Sequence, residues 1–530
     1  MSSKLEGLIE ELLELSNNPA AGQRLVLDVK QAFAQKHNLP KIPSNPELLT
    51  ECSPEQRGKL IPLLRRKPTR TLSGVSVIAA MTAPFFCPHG VCTYCPGGPK
   101  NNSAQSYTGF EPAAMRAKQN NFDPLKQVNY RLNQFHAIGH ETSKCELIVM
   151  GGTFTSTPEE YQDFFIKGLF DALNQEPSVS LAEAISRNET AAHRCIGLTI
   201  ETRPDWCKER HVDRMLSFGA TRVELGVQHP DDNVYKLIHR GHSVQDVRDA
   251  TRILRDSCFK VGYHVMPGLP GSNPTKDIEM MRGIFTKTEF KPDMLKVYPT
   301  LVVPGTALWH QWKRNEFTPY NEETAVETIA KFMADCPRFV RIMRMQRDIP
   351  AYKIDAGVTK GHLADMVEWR LKEQGLSCGC IRCREIGHKV LREKFAPDYA
   401  SVELNRLDYE AANGREVFLS FDEEKHDALI GFLRLRLPSK EAHRQEVGSD
   451  GKTALVRELH VYGQMMPFGE KSGKWPQHSG YGKALLGEAE RIAKIEFGCD
   501  EISVISGVGV RGYYKKLGYE RVGPYMGKAL

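Results

Sequence analysis

The 530-residue sequence has no apolar run long enough to cross a membrane and no basic-then-apolar signal peptide at its amino end. Its 13 cysteines are too few for a disulfide framework at this length, and their number is odd. Internal repeats and low-complexity tracts are absent, and the formal net charge is only +6. With 41% hydrophobic residues the chain can bury real cores, and its length predicts about two to four domains. We expect a globular, cytoplasmic protein.

The amino-terminal 72 residues combine helical periodicity with a local excess of basic side chains. Apolar residues recur at helical spacing from Lys4 to Asn38. Between Glu51 and Arg70, six lysines and arginines accompany two glutamates. A solvated face would explain an isolated charge run, but this run leads directly into a cysteine motif. We therefore predict that residues 1–72 form a small helical, basic unit that contacts nucleic-acid phosphates.

The middle of the chain alternates short apolar runs with helical stretches, which is typical of repeated βα units and predicts an α/β fold with a parallel sheet or partial barrel. The predicted strands are Val75–Ala80, Cys145–Met150, Gly197–Ile200, Arg222–Gly226, Lys260–Met266 and Met294–Tyr298. Because strand ends carry the chemistry in such folds, candidate site segments follow four of these strands. They are Gly151–Thr153, Glu201–Arg203, Gln228–His229 and Met266–Gly271. We place this barrel at residues 73–355.

Two further regions follow the barrel. Residues 356–395 contain a second group of cysteines and are predicted to form a connector. Residues 396–530 are predicted to form an α+β domain that starts with a meander of strands. Its predicted elements are strands Val417–Ser420, Leu429–Leu437 and Leu455–Val461 and a helix from Gly482 to Ile495.

Three cysteines, Cys87, Cys92 and Cys95, lie within nine residues directly after a predicted strand. Three thiolates can hold zinc with a fourth ligand, or a four-iron cluster in which one iron stays open to a cofactor. Tyr94 before the last cysteine and the Gly151-Gly152 turn favour the iron–sulfur cluster. A zinc knuckle is the alternative.

This cysteine group resembles that of radical S-adenosylmethionine (SAM) enzymes, although its first gap holds four residues where the usual spacing is three. The surrounding sequence resembles the family of Elongator catalytic subunits, tRNA-modifying enzymes, in their archaeal or bacterial form. The resemblance runs from about Lys67 to the carboxyl terminus. It rests on Lys67–Gly74, Cys95–Gly98, Ser106–Pro112 and Met115–Ala117.

The resemblance implies a [4Fe–4S] cluster bound by Cys87, Cys92 and Cys95, whose open iron chelates the amino and carboxylate groups of SAM. It also implies further SAM contacts. Backbone groups of Gly151, Gly152 and Thr153 would lie near the methionyl amine, and the Tyr94 ring near the adenine. Glu201 and Lys296 would be polar contacts at strand ends.

The second cysteine group, Cys378, Cys380 and Cys383, lies in the predicted connector. This position favours a structural zinc site, with His362 or His388 as the fourth ligand. The alternative is a loop without metal, which is disfavoured because three thiols in six residues rarely persist in a cytosolic protein without a ligand.

The carboxyl-terminal domain carries a glycine-containing segment before a helix, which resembles the coenzyme-A loop of GNAT acetyltransferases. Its residues are Gln477, His478, Ser479, Gly480, Tyr481, Gly482 and Lys483. In the Elongator family a tyrosine pair lies near the thioester, which implies a catalytic role for Tyr513 and Tyr514. A phenol there can hydrogen-bond the thioester oxygen or protonate the departing thiolate. At least one of the two rings is expected to be core packing, because neighbouring side chains point apart.

Together these signatures imply one reaction with two cofactor sites that meet at an interdomain cleft. In the family's reaction, a 5′-deoxyadenosyl radical removes hydrogen from the methyl group of acetyl-CoA. The acetyl radical adds to C5 of the wobble uridine (U34) of tRNA, and thioester hydrolysis leaves 5-carboxymethyluridine. The alternatives are a protein lysine acetyltransferase with a structural iron–sulfur cluster and a catalytically idle tRNA-binding scaffold.

The implied partner is the anticodon stem-loop of tRNA, held by basic side chains and therefore sensitive to salt. The residues expected to contact it are Arg65–Arg70, Arg338–Arg347, Lys515 and Lys516. The electron donor is left open, as is the choice between a homodimer and Elongator-like partner subunits.

Overall fold

The computed structural model describes residues 2–18, 21–66, 71, 73–448, 450–463 and 480–530. Its α-helices are α1 Ser2–Ser16, α2 Gln23–Lys36, α3 Asn45–Glu51, α4 Pro54–Leu64, α5 Pro112–Gln119, α6 Pro124–Ala137, α7 Glu159–Asn174, α8 Leu181–Asn188, α9 Glu209–Ser217, α10 Asp232–Leu237, α11 Val244–Asp256, α12 Pro274–Thr286, α13 Ala307–Lys313, α14 Glu322–Ala334, α15 Leu363–Glu373, α16 Ile381–Arg384, α17 Ile386–Glu393, α18 Tyr481–Arg491 and α19 Arg511–Lys515. Within the described ranges, no helix is both long and apolar enough to span a bilayer.

The strands form two seven-stranded sheets. Strands of the first sheet are β1 Ser76–Met81, β2 Lys144–Met150, β3 Arg194–Thr202, β4 Arg222–Gln228, β5 Lys260–Val265, β6 Met294–Val297 and β7 Arg341–Arg344. Strands of the second are β8 Val402–Ala411, β9 Gly414–Glu423, β10 Ala428–Leu437, β11 Thr453–Val461, β12 Glu501–Val504, β13 Glu520–Val522 and β14 Tyr525–Ala529.

The amino-terminal helices α1–α4 form a small unit with a leucine-rich core. Capping boxes begin two of these helices, at Ser44 for α3 and Ser53 for α4. The unit is joined to the first sheet's domain by Arg65, whose Nε donates to the Gly139 carbonyl oxygen at 3.1 Å. The predicted helical amino-terminal unit is therefore present, and one of its basic residues has a structural partner.

The first sheet is entirely parallel, with strands in the order β1 to β7 and β1 and β7 at its two edges. The predicted α/β partial barrel is therefore confirmed. Six of its strands were predicted; β7 was not, because it lies inside the basic tract Arg338–Arg347. A charged strand fits there because the Arg341 guanidinium pairs with buried Glu385 at 2.7 Å.

The second sheet has the order β13-β14-β12-β11-β10-β9-β8 and is mixed. Strands β9 to β11 form the predicted antiparallel meander, which β8 extends by one strand, whereas β11 and β12 are parallel. Their pairing ends at Val456 and Val504, so the last residues of β11 extend beyond β12. The end of β11 lies beside the start of α18, where an added Cβ at Gly482 would be 3.7 Å from Val461 Cγ2. The boundaries at residues 72, 355 and 395 remain predictions.

The second sheet's domain packs against the amino ends of the barrel strands. Arg457 on β11 donates from Nη1 to the Phe259 carbonyl oxygen, just before β5, at 2.9 Å. Tyr462, after β11, accepts a hydrogen bond at its hydroxyl from Arg341 Nη1, at the start of β7, at 2.8 Å. Gly509 lies so close to Arg194 that an added Cβ would be 2.4 Å from the arginine's Cβ.

A balanced ionic network is buried in this interface. Four arginines and four carboxylates share it. Their pairs join the two domains or two strands of the second sheet, except for Arg255 with Asp293, which lies within the barrel. Burial opposes the ionisation of Asp293 and Glu416, but the arginines outweigh it, so the pKa values of both carboxyl groups are lowered. Its members are Arg255, Asp256 and Asp293 of the barrel and Glu416, Arg434, Arg436, Arg457 and Glu458 of the second sheet.

Candidate active site

A cavity of about 130 Å³ opens at the carboxyl edge of the parallel sheet. The ends of β1 to β7 and the segments that follow them supply its walls, as expected for a barrel whose chemistry lies at the strand ends. Predicted site residues that line it are Cys87, Tyr94, Gly152, Thr153, Glu201 and Lys296. The sequence pattern therefore brings six separated residues to one pocket.

The three cysteines after β1 have different hydrogen-bond partners. Cys95 Sγ accepts from the Ser106 amide at 3.1 Å, and Cys87 Sγ lies 3.6 Å from Thr153 Oγ1. Cys92 Sγ contacts His89 Nε2 at 3.2 Å and accepts from Arg240 Nη1 at 3.5 Å. Burial raises the pKa of Cys95 to about 11, so thiolates here need a cationic partner.

The spacing of the sulfurs distinguishes two kinds of metal centre. Ligand atoms of a single ion lie close together, about 3.8 Å apart for four sulfurs around zinc. Cys378, Cys380 and Cys383 form such a group, with all three sulfurs within 4.8 Å of one another, whereas the Cys87, Cys92 and Cys95 sulfurs do not. The wider set fits a cluster in which each cysteine binds a different iron.

Buried polar atoms without partners line the same cavity as Cys87. Among the described residues, Tyr94 Oη, Gln228 Oε1, Arg203 Nη1 and Arg240 Nε have no hydrogen-bond partner, and all four side chains line the cavity. The Arg240 guanidinium contacts Cys92 and provides positive charge there. The Arg203 guanidinium pairs with Asp205 at 2.8 Å and leaves its Nη1 for an anionic group. The donor set and the orphaned atoms therefore fit a three-cysteine cluster with a charged polar cofactor. Arg203 lies in the candidate segment Glu201–Arg203 that the sequence predicted, whereas Arg240 and His89 were not predicted.

The glycine turn after β2 is needed for close packing. Gly151 has φ +136°, and an added Cβ would lie 2.0 Å from Thr82 Oγ1. Gly152 has φ +90°, and a Cβ there would lie 3.8 Å from Cys87 Sγ. Both conformations favour glycine, and Gly152 leaves room beside the triad.

A charged network forms the inner wall of the cavity. Lys296 pairs with Glu224 and lies 3.5 Å from Glu201 Oε1, while the Tyr107 hydroxyl donates to Glu201 Oε2 at 2.8 Å. His264 Nε2 lies 2.8 Å from Glu224 Oε2. Burial opposes ionisation of Glu224, but Lys296 and the other neighbours outweigh it and hold its pKa well below its usual range. Glu224, His264 and Tyr107 were not predicted.

This network continues toward the second domain. Arg222 Nε lies 3.4 Å from Glu224 Oε1, and its Nη2 lies 2.6 Å from Glu146 Oε1. Arg222 and Lys260 also interact electrostatically with Glu458 of β11. The described contacts therefore do not form the interdomain cleft expected from the sequence. The triad lies at the carboxyl edge and the second domain at the amino edge, with a polar interior between them.

Comparisons with known proteins match this architecture. The Radical SAM superfamily model matches residues 82–282, the Radical_SAM C-terminal domain matches 292–373, and the ELP3 N-terminal domain matches 3–72. The tRNA uridine(34) acetyltransferase of Methanocaldococcus infernus is 52% identical over 92% of this chain and 92% of its own length. Elongator complex protein 3 of Homo sapiens is 44% identical over 95% of this chain and 92% of its own length.

The chain belongs to the Elongator complex protein 3 family. The solved structure of M. infernus Elp3, with its residues 1–46 deleted, has a TM-score of 0.77 and 48% identity. It matches 87% of this chain and 100% of that chain. The resemblance inferred from the sequence is thus confirmed, as is the radical SAM fold.

The connector of this Elongator family member holds a compact group of thiols. Hydrogen bonds with Cys378 and Cys383 lower the pKa of Cys380, and hydrogen bonds with Cys378 and Cys380 raise that of Cys383. The pKa of Cys378 is raised by its hydrogen bonds with Cys336 and Cys380. Cys336, at the end of α14, is buried and hydrogen-bonded to Cys378. Four cysteines therefore meet here, a donor set that fits tetrahedral zinc.

Cys336 is therefore a further candidate for the fourth ligand, besides the two histidines expected from the sequence. His362 is exposed at the start of α15, and His388 Nε2 lies 3.9 Å from Glu385 Oε1. Neither belongs to the compact group of ligand atoms. Cys336 lies 42 residues before Cys378, so its solitary position gave no spacing signal.

The start of α18 has the geometry expected of a coenzyme-A loop in its described part. Gly480, at φ +94°, precedes the helix, and among the described residues no side chain caps it, which suits a first turn whose amides bind an anion. Tyr481 packs edge-on against Phe421 at 5.0 Å, and Lys483 is exposed. Gln477, His478 and Ser479 lie outside the described residues.

The tyrosine pair is divided between two environments. An added Cβ at Gly482 would lie 3.2 Å from the Tyr513 hydroxyl, which places this phenol at the start of α18. Tyr513 is 37% exposed, whereas Tyr514 is 6% exposed and packs against Tyr519. Burial raises the pKa of both phenols. Tyr514 is therefore the core residue of the pair.

The expected tRNA-binding basic tracts are only partly free. Arg338 pairs with Asp427 at 2.6 Å and Arg341 with Glu385, so both link structural elements. Arg344 and Arg347 line the cavity. Lys515 pairs with Glu189 at 3.0 Å. Lys67 to Arg70 lie outside the described residues.

Proposed function

We propose that this chain is an acyltransferase that forms 5-carboxymethyluridine at the wobble uridine of tRNA from acetyl-CoA and SAM. The printed name of the M. infernus relative, a tRNA uridine(34) acetyltransferase, supports the substrate and the acyl group. The observation that carries the proposal is the presence of two distinct sites on one chain. One is the three-cysteine cavity, and the other is the free start of α18 beside Tyr513. We place the protein in the cytoplasm.

Cys87, Cys92 and Cys95 would hold the [4Fe–4S] cluster, which together with SAM supplies one-electron radical chemistry when bound. Arg203 and Arg240 offset negative charge beside the thiolates, since a buried charge needs a partner. His89 and Thr153 contact two of the sulfurs and fix their orientation. Gly152 keeps the space next to Cys87 open.

The inner wall supplies a fixed set of charges. The pKa of Lys296 is raised by Glu224 despite burial, and the pKa of Glu224 is lowered by Lys296, so both stay ionised through neutral pH. Tyr107 holds Glu201 by a hydrogen bond. These groups orient polar parts of the cofactor and nucleoside without a change in their own protonation.

Tyr513 is the residue suited to act on the thioester. Its hydroxyl lies at the start of α18, where the coenzyme-A pyrophosphate would bind. From this position the phenol can donate a hydrogen bond to the thioester oxygen or a proton to the departing thiolate. The proposal requires the acyl group to reach the carboxyl edge of the parallel sheet.

The zinc site has a structural role in this proposal. Cys336 joins α14 to the connector, which in turn contacts the second domain through Arg384 and Asp422. A zinc ion held by Cys336, Cys378, Cys380 and Cys383 would fix these segments together.

The decisive experiment incubates the purified, cluster-reconstituted protein with tRNA, SAM, a reductant and methyl-labelled acetyl-CoA under exclusion of oxygen. Mass spectrometry of the nucleosides should find 5-carboxymethyluridine that carries the label. Cys92→Ala should abolish it, while Cys52→Ala, away from both sites, should not. Unmodified tRNA with every reagent present would contradict the proposal. Lysine acetylation of a protein substrate that survives Cys92→Ala would favour an acetyltransferase instead.

A further inference from the structure

Two exposed aromatic rings stand at the rim of the cavity. Tyr352 is 74% exposed and Phe110 is 38% exposed. Phe110 directly precedes Glu111, which lines the cavity, and Tyr352 follows Asp348, which also lines it. The rings meet edge-to-face with centroids 6.4 Å apart. Such rings are costly to expose to water without a function, so their place beside the cavity points to a ligand.

The loops that carry these rings are held in place. Arg347 donates a hydrogen bond from Nη2 to the Ser106 carbonyl oxygen, which ties the loop before Tyr352 to the loop before Phe110. Glu111 accepts from the Thr108 and Gly109 amides at 2.9 and 3.0 Å and closes the turn at Phe110. The rings therefore form a prearranged surface, which lowers the entropic cost of binding.

Two lysines complete the surface. Lys353 Nζ lies 4.0 Å from the Phe110 ring centroid and 5.5 Å from that of Tyr352, while Lys118 Nζ lies 5.7 Å from Phe110. Within the described parts of the chain, neither lysine forms an ion pair with a carboxylate. Positive charge that is not neutralised beside exposed rings is the combination that binds single-stranded nucleic acid.

We propose that Tyr352 stacks on an unpaired nucleobase next to the modified nucleotide, with Phe110 as its support and Lys118 and Lys353 on the adjacent phosphates. The occupant is a single-stranded RNA loop, because each base offers a stacking face and each phosphate a negative charge. The inference rests on the proposed function and deepens it. In this arrangement the nucleotides that flank the target bind at the two rings while the target base enters the cavity.

The test measures binding of the full-length protein to a 17-nucleotide anticodon stem-loop, a length chosen to be about that of the natural hairpin, and to a fully paired RNA of similar length. Tyr352→Ala should weaken stem-loop binding at least about fivefold and leave duplex binding unchanged. Tyr352→Phe should bind the stem-loop as tightly as the unsubstituted protein does, because the aromatic ring makes the stacking contact. Trp369→Ala is the matched control, since Trp369 is 61% exposed on α15 and does not line the cavity.

Lys118→Gln and Lys353→Gln should each reduce the salt dependence of stem-loop binding by about one unit of slope. If Tyr352→Ala lost affinity equally for the duplex and for the stem-loop, stacking of Tyr352 on an unpaired base would be overturned. Unchanged binding in Tyr352→Ala would overturn the assignment of the surface to RNA and leave a protein partner as its occupant. If the unsubstituted protein binds no tRNA stem-loop, the proposed function fails first, so the two failures are distinguishable.

Discussion

At the scale of single residues, neighbours of the same type have different tasks because the fold gives them different surroundings. Tyr513 and Tyr514 are adjacent, yet one hydroxyl lies beside Gly482 and the other ring lies in the core of the second domain. The same holds for the cysteines. Cys336 joins a compact thiol group, whereas Cys145 and Cys195 are buried packing residues.

We predict that Tyr513→Phe lowers acetyl-CoA turnover by about 10²-fold, because a proton or hydrogen-bond donor to the thioester is lost. Tyr514→Phe should leave turnover within about twofold, since Tyr514 makes ring contacts that phenylalanine keeps. Release of free coenzyme A in the presence of tRNA measures both. An equal loss in the two variants would contradict the assignment.

The next prediction tests whether Cys336 or His388 is the fourth zinc ligand. Cys336→Ser should reduce bound zinc well below one equivalent per chain, because one of four thiolate ligands is removed. His388→Ala should keep the zinc, since its imidazole faces Glu385. Elemental analysis of the purified variants measures the zinc bound per chain. Full zinc content in Cys336→Ser together with loss of zinc in His388→Ala would show that His388 is the fourth ligand, as expected from the sequence.

At the scale of elements, the start of α18 decides whether coenzyme A can bind. The helix contains two glycines with opposite surroundings. A Cβ at Gly482 would contact Tyr513 Oη at 3.2 Å and Val461 Cγ2 at 3.7 Å, whereas a Cβ at Gly487 would meet nothing within 4 Å. The surroundings of Gly482 therefore leave little space for a side chain, whereas those of Gly487 leave room for one.

We expect Gly482→Ala to weaken acetyl-CoA binding by about tenfold, since the new methyl group crowds the phenol and the amides that face the pyrophosphate. Gly487→Ala should bind acetyl-CoA normally and stabilise the protein by roughly 0.5–1 kcal/mol, because alanine is the better helix former. Calorimetric titration and thermal unfolding measure the two effects. Normal binding by the Gly482 variant would place the coenzyme away from α18.

At the scale of the whole molecule, the two sheets form one body through a buried ionic interface. Arg457 reaches Asp293 of the barrel at 2.7 Å and Glu416 of its own sheet at 2.8 Å, and none of the three side chains is exposed. Removal of one partner leaves a buried charge without compensation, so the interface tolerates no single loss.

Stability should fall on acidification for this reason. The pKa values of Asp293 and Glu416 are lowered in the folded state, so their contribution is complete above the unfolded values of about 3.9 and 4.3 and is lost as the pH falls below them. Asp293→Asn should cost about 3–5 kcal/mol near neutral pH and show a weaker dependence on acid.

The control for the interface is Glu316→Gln, which breaks an exposed pair with Arg314 and should leave the unfolding midpoint unchanged. Urea unfolding between pH 3 and 7 measures these effects. An acid response of Asp293→Asn identical to that of the unsubstituted protein would show that the network does not set the stability.

Local patterns in the sequence predicted the order of the elements and the chemistry they carry. Six barrel strands, the cysteine triad, the glycine turn and the start of α18 are legible because periodicity, spacing and turn residues are properties of neighbours in the chain. The bounds of the strands differ by a few residues, and β7, β8, β13 and β14 were missed because charged or short strands lack an apolar signal.

Only the tertiary structure decided which distant residues meet. It brought Cys336 to the connector cysteines, Arg240 to Cys92, and Glu224 and His264 to Lys296. It also placed the second domain at the amino edge of the barrel instead of across an open cleft. Contacts of this kind depend on how sheets close and domains pack, and a residue's sequence neighbours contain no record of a partner that lies tens or hundreds of positions away.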